Sequence, residues 1–187
     1  MDEWTAVKNA SLEVICGCMF SGKTVELQRR LRRAEIAKLK VKVFKPLIDE
    51  RYSKDQVVSH DRSALKAIAV EDPNDILRLN EDAQVIGIDE AQFFNDDLIH
   101  VCESLANSGK RVIISGLDLD SFGQPFGPMP ILMSKAEFLT KLHAICTRCG
   151  NLAHYSYRKD NSKEQIALGA EEAYEALCRS CFNQASK

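Results

Sequence analysis

Gly17, Gly22, Lys23 and Thr24 stand in "GCMFSGKT" at the spacing G-x-x-x-x-G-K-[ST], directly after the apolar run "LEVIC". A loop of this kind between a strand and a helix presents successive backbone N–H groups and a helix N-terminus to phosphate oxygens. Met19 and Ser21 lie inside the loop and share in that cradle. Lys23 is placed to reach the β and γ phosphates of a nucleotide, and Thr24 to ligate Mg²⁺. The loop alone leaves the fate of the terminal phosphate open: it passes to water or to a second substrate.

A second group of chemical residues closes the run "VIGIDEAQFF", where Asp89 and Glu90 end an apolar strand. An aspartate at the end of a neighbouring parallel strand is where P-loop proteins hold Mg²⁺ or its water, which suits Asp89. Glu90, one position on, is expected on the other side of the strand, as a base that orients or deprotonates the attacking oxygen. The pair does not distinguish a water from a substrate hydroxyl.

The third group is "CTRC" at 146–149 and "CRSC" at 178–181. Cys146, Cys149, Cys178 and Cys181 offer four thiolates to a tetrahedral Zn²⁺ site, closed and therefore structural. The interval between the pairs, residues 150–177, exceeds the usual ribbon spacing of about 15 to 20, so something is inserted there. The insert, "NLAHYSYRKDNSKEQIALGAEEAYEAL", suits a zinc-anchored lid over a small substrate, which keeps water from the phosphate. His143 and His154 flank the first pair, and four cysteines leave them no vacancy.

These groups need a scaffold. From residue 12 to about 116, β-rich runs alternate with helical patterns: "LEVIC", a helix from about 22 to 38, "VKVFK", "LKAIAV", a short helix after Pro73, "QVIGID", a helix near 96–108 and "RVIISGLD". The alternation predicts an α/β fold, a P-loop NTPase-like, mostly parallel sheet with flanking helices, followed by a small zinc ribbon carrying a lid loop. Turn-rich "FGQPFGPMP" precedes a change in composition, which sets a boundary near residue 140. Residues 1–140 read as the nucleotide-binding domain and 141–187 as the zinc-binding domain. The polar stretch from Pro46 to Ser63 reads as a long functional loop. Arg29, Arg30, Arg32 and Arg33 read as a solvated or subunit-facing helix surface.

A formal charge of −2 over 187 residues gives no support to a long nucleic-acid surface. No apolar run approaches the roughly 20 residues of a membrane helix, and the opening "MDEWTAVKNA" does not read as a signal peptide. The expectation is a cytoplasmic protein with neither a membrane nor a nucleic-acid polymer as partner. Seven cysteines without such a signal fit thiolates in a reducing compartment, with Cys16 and Cys102 as small buried residues.

Taken together, "GCMFSGKT", "HDR" at 60–62, "IDEAQFF", "PFGP" at 125–128, the two C-x-x-C pairs and "LGAEEAY" resemble the thymidine kinase family of the zinc-containing, cytosolic type, from about residue 11 to 182. The resemblance implies transfer of the ATP γ-phosphate to the 5′-hydroxyl of thymidine, and of deoxyuridine, in nucleotide salvage. It implies Glu90 as the base, Asp61 and Asp89 holding Mg²⁺ through water, and Arg62 supporting the phosphates. It places Met19, Phe93, Leu117, Phe126, Ser156 and Tyr174 around the nucleoside, with backbone at Gln165, Ile166, Ala167, Leu168 and Gly169 reading the base edge. Members are typically homotetramers inhibited by thymidine triphosphate.

The chain departs from the family pattern at four points. Ser121 stands where an aromatic residue is usual, which makes Phe122 the expected stacking partner of the base. Cys18 replaces a proline, Ala170 a glycine, and Ser156 a threonine near the base's 5-methyl group. An ATPase using Glu90 on water and a zinc-ribbon nucleic-acid module are the competing readings. The N-K-x-D signature of guanine readers does not occur in the chain.

Overall fold

The computed structural model of the chain describes residues 10–47, 66–159 and 173–186. Its centre is a six-stranded sheet in the order β3-β2-β4-β5-β1-β6. The strands are β1 (Ser11–Gly17), β2 (Val41–Pro46), β3 (Ala67–Val70), β4 (Val85–Ile88), β5 (Arg111–Gly116) and β6 (Phe138–Leu142). Every pairing among them is parallel. Parallel strands require crossovers, supplied by α1 (Lys23–Ile36), α2 (Asn74–Leu79), α3 (Asp97–Asn107) and α4 (Met129–Lys135). This is the expected fold class.

Period-two alternation divides the core into two layers. Leu12, Val14 and Cys16 of β1, Ile86 and Ile88 of β4, and Val112 and Ile114 of β5 pack with Ile76, Leu98, Val101, Leu105 and Leu132 from α2, α3 and α4. Ile15, Val85 and Ile113 face the other way, onto Leu27, Leu31 and Ala34 of α1. Those three recur at i, i+4 and i+7, one stripe of a helix. Gly87 lets that helix settle, because a Cβ there would stand 2.7 Å from Leu31 Cδ1.

Glu13 shares the α1 side of β1, where a carboxylate needs partners to be buried. Arg30 Nη1 donates to it at 2.9 Å and Arg111 Nε at 2.5 Å. Arg30 also donates to Glu26 and to the Thr140 hydroxyl. The basic run on α1 is therefore not uniformly a solvated face: Arg29 is 47% exposed at its side chain, Arg30 only 9%. The acid that recruits Arg30 is 17 residues away, beyond the reach of a local charge pattern.

A smaller module follows with one residue, His143, between β6 and β7 (Ala144–Ile145). Thus the edge strand β6 runs across residue 140 and on to Leu142. β7 pairs with β8 (Leu152–Ala153), β9 (Tyr155–Arg158) pairs with β10 (Tyr174–Leu177), both antiparallel, and α5 (Arg179–Ala185) ends the fold. Tyr155 stacks on Phe182 with centroids 4.3 Å apart. Their cluster takes in Cys18, so the glycine loop contributes a side chain to the core of the small module. Cys16 and Cys102 are also fully buried, and burial pushes the Cys16 thiol up to about 11.

Candidate active site and metal centre

β1, β5 and β4 are neighbours in the sheet, and their C-terminal ends open on one edge, where open α/β sheets bind ligands. The glycine loop leaves β1 there. Gly17 has φ 143, and a Cβ on it would lie 2.2 Å from Leu142 O, so only glycine lets β6 approach this closely. Gly22, at φ 86, precedes α1 in a left-handed conformation and gives no side-chain cap to the helix. The first-turn amides of α1 are therefore not taken by a capping side chain, the arrangement that favours an anion. Lys23 Nζ rests on Cys18 O at 2.9 Å, inside the loop whose phosphates it is expected to meet.

Asp89 follows β4 directly, with its amide on Phe44 O and its Oδ1 accepting the Glu90 N–H at 3.0 Å. Burial pushes its carboxyl up, against the opposing pull of the Ser115 hydroxyl, the Glu90 amide, the Thr24 hydroxyl and the Lys23 ammonium. The Ser115 hydroxyl, fully buried at the end of β5, makes no hydrogen bond of good geometry. Asp89, Thr24 and Ser115 thus bring together oxygen donors of the hard kind that Mg²⁺ takes, around a buried carboxylate. Ser115 was not legible as a site residue, because a serine inside an apolar strand carries no sequence signal.

Glu90 differs from its expected place on the opposite face of a strand. β4 ends at Ile88, and Glu90 sits at φ 52, ψ 39, in the left-handed region. It opens a 3₁₀ turn over Ala91–Phe93, and its carboxylate accepts a 2.5 Å hydrogen bond from Gln92 Nε2. Non-glycine residues held in this region concentrate at functional sites.

The residues expected around a nucleoside divide by location. Phe93 and Phe126 meet edge to face, centroids 5.7 Å apart. Leu117 is half-buried at the end of β5, with its amide on Gln92 Oε1. Met19 donates its backbone N–H to Ser156 Oγ at 2.9 Å, which joins the glycine loop to β9. Tyr174, half-buried, begins β10 and stands opposite Arg158. Phe122 is 48% exposed on a turn whose amides, at Phe122 and Gln124, bond to Asp120 Oδ1. Asp61, Arg62, Gln165, Ile166, Ala167, Leu168, Gly169 and Ala170 lie outside the described residues.

The four paired cysteines converge, with Sγ atoms all within 4.8 Å of one another. Burial raises the Cys146 thiol, but backbone amides of Cys178, Arg148 and Cys149 outweigh it and bring it down to about 6. A hydrogen bond to Cys149, burial and the remaining thiols push Cys181 up to about 12. Four sulfurs this close cannot all ionise without a cation among them, and a soft thiolate set fits a structural dication. The turn that presents Cys146 and Cys149 is tied by Cys146 N to Asn151 O at 2.7 Å and Gly150 N to Cys146 O at 2.9 Å, while Cys178 and Cys181 sit at the start of α5.

Comparison with known proteins bears on the whole of this arrangement. The sequence profile "Thymidine kinase" matches residues 10–182. The chain belongs to the thymidine kinase family. It is 50% identical over 181 residues to a thymidine kinase of Porphyromonas gingivalis, covering 97% of this chain and 89% of that one. A thymidine kinase of Rhodothermus sp. is 55% identical over 171 residues, 91% and 80% of the two chains. That of Bacteroides thetaiotaomicron is 51% identical over 178 residues, 95% and 89%. Among solved structures, the flagellar accessory protein FlaH of Methanocaldococcus jannaschii superposes with a TM-score of 0.52 at 18% identity, over 78% of this chain and 76% of that one, a likeness of fold alone. Among the described residues of this thymidine kinase family member, no helix is long and apolar enough to cross a membrane.

Proposed function

We propose that Glu90 is the general base that takes the proton of the thymidine 5′-hydroxyl as that oxygen attacks the γ-phosphorus of ATP. As a thymidine kinase, the protein makes thymidine monophosphate and ADP: the bond from the attacking oxygen to phosphorus forms and the bond to the β–γ bridging oxygen breaks. The observation that carries the role of Glu90 is its left-handed conformation one residue past Asp89, at the sheet edge shared with the glycine loop. Strain in a carboxylate-bearing residue, held next to a phosphate cradle, is a device for aiming that carboxylate.

Lys23 turns from the Cys18 carbonyl to the β and γ phosphates, and amides of the glycine loop, including those of Ser21, Gly22 and Thr24, hold their oxygens, while the Met19 amide stays on Ser156. Thr24, Asp89 and Ser115 hold Mg²⁺, in part through water, with Asp61; Arg62 supports the phosphates. Bound Mg²⁺ offsets charge on the phosphates. Phe93, Leu117 and Phe126 wall the nucleoside on one side, and Met19, Ser156 and Tyr174 on the other. Phe122 stacks on the base and the 165–169 backbone reads its edge. Cys146, Cys149, Cys178 and Cys181 hold a structural Zn²⁺. In this division residues 1–140 bind the nucleotide, and 141–187 form the zinc domain that covers the nucleoside. Deoxyuridine is a second acceptor, thymidine triphosphate a feedback inhibitor, the homotetramer the working assembly and the cytoplasm its compartment.

The test is a steady-state assay with thymidine, deoxyuridine and deoxycytidine as acceptors and nucleoside-free ATP hydrolysis as control. Glu90→Gln should keep ATP binding and lower thymidine turnover by roughly a hundredfold or more. Unchanged turnover removes Glu90 as the base.

A further inference from the structure

Gln92 has no place in the site as read from sequence, yet it is 2% exposed and lies two residues beyond Glu90. A buried carboxamide must satisfy both ends, and the ends are not interchangeable. The Leu117 backbone N–H, a donor only, points at Oε1 at 2.9 Å. That contact fixes which end is oxygen, so the other end, Nε2, is a donor, and it meets Glu90 Oε2 at 2.5 Å.

The surroundings leave this carboxamide little freedom. A Cβ on Gly116 would stand 3.0 Å from Gln92 Oε1 and 2.6 Å from Met129 Sδ. A Cβ on Gly127, at φ 49, would stand 2.4 Å from the Gln92 carbonyl oxygen. Glycines at both places let β5 and the "PFGP" turn close around the residue. Phe93 N on Glu90 O at 3.1 Å closes the 3₁₀ turn that keeps Gln92 under Glu90.

We propose that Gln92 is a positioning residue for the transfer: it ties the Glu90 carboxylate to the Leu117 amide at the end of β5, setting the distance between the base and the wall against which the acceptor nucleoside lies. This rests on the reading of Glu90 as the base. A charged acceptor held by a fixed neutral donor keeps its aim without being neutralised. The same bond helps hold Glu90 in a backbone conformation that is uncommon for a non-glycine residue.

A merely structural glutamine would serve the Leu117 amide and nothing more, so the informative substitution preserves that bond. Gln92→Glu keeps an acceptor for Leu117 N–H and replaces the donor facing Glu90 with a second carboxylate. It should lower kcat roughly tenfold or more with the dissociation constant for ATP within about twofold. In a Glu90→Gln background the same change should lower kcat by less than about twofold, because its effect passes through Glu90. Gln92→Asn, an amide too short to span both partners, gives an independent readout if the first variant is unstable, and should show the same dependence on Glu90. Wild-type kcat in both variants overturns the proposal, as does an equal loss with and without Glu90. Unchanged turnover in Glu90→Gln alone overturns instead the assignment of the base.

Discussion

The parallel sheet and the cysteine-bearing module are built on opposite principles. The sheet's strands are apolar on both faces, and two helical layers bury Phe44, Ile15, Ile86, Ile88, Ile113 and Ile114 almost completely. A buried polar cluster beneath the sheet, Glu13 with Arg30 and Arg111, is charge-paired. The module has two short hairpins, a seven-residue helix and a core in which Ala144, Ala153 and Ala176 are among the apolar members. Small cores of this kind commonly draw added stability from a metal, a covalent bond or a neighbouring surface, and this one packs on Cys18 and Leu119. The sheet rests on the packing of a large core, whereas the module adds four converging sulfurs to a small one and meets the glycine loop through Met19 and Ser156.

Metal removal separates the two regions most sharply. Cys146→Ser, or chelation of the native protein, should abolish stoichiometric zinc and unfold the module while the sheet stays folded. Hydrogen exchange reads this: the amides of Thr147, His154 and Phe182 should lose protection, and those of β1 and β5 keep it. Protection retained throughout after metal loss would mean that the module stands on its own core.

Glu13→Gln makes the reverse cut. It leaves two buried guanidinium groups without their shared charge partner and should cost about 3 kcal/mol in denaturant unfolding, with zinc content unchanged. A cost below about 1 kcal/mol would show that the cluster is solvated enough to do without its acid.

The smallest effect concerns Glu26, whose carboxyl is held down to about 2 by hydrogen bonds from Arg29 and then Arg30. A depressed carboxyl contributes stability that is complete above its ordinary 4.5 and disappears as pH falls toward 2. Wild type and Glu26→Gln should therefore differ by less than about 1 kcal/mol at neutral pH and converge through that acid window. A difference that persists at pH 2 would assign the effect to helix packing.

The comparison also accounts for what could be read from the sequence. In the sheet region, β-rich apolar runs located β1, β2, β4 and β5, and helical patterns located α1 and α3, because strands buried on both faces are apolar nearly throughout while a one-sided helix shows its period. The motif at Gly17, Lys23 and Thr24 lies, as its strand-loop-helix context implies, between β1 and α1, and Asp89 follows β4 at the same end of the sheet. The two C-x-x-C pairs announced the convergence of four sulfurs, since a tetrahedral thiolate site needs that spacing. Arg30, Gln92 and Ser115 were misread or missed. Arg30 reaches Glu13 and Gln92 reaches the Leu117 amide, each 17 or more residues away, and no local period records such a pairing. Glu90 was placed on a regular strand because nothing in "IDEAQ" signals a left-handed turn.

His143 alone connects β6 to β7. So short a tether fixes the effective concentration of the module at the glycine loop, and closing it costs almost no chain entropy. If the module melts on losing its metal, its strands stay where they must dock, and refolding becomes a local search within reach of Cys18. Metal supply would then act on this protein as a reversible setting of its working state.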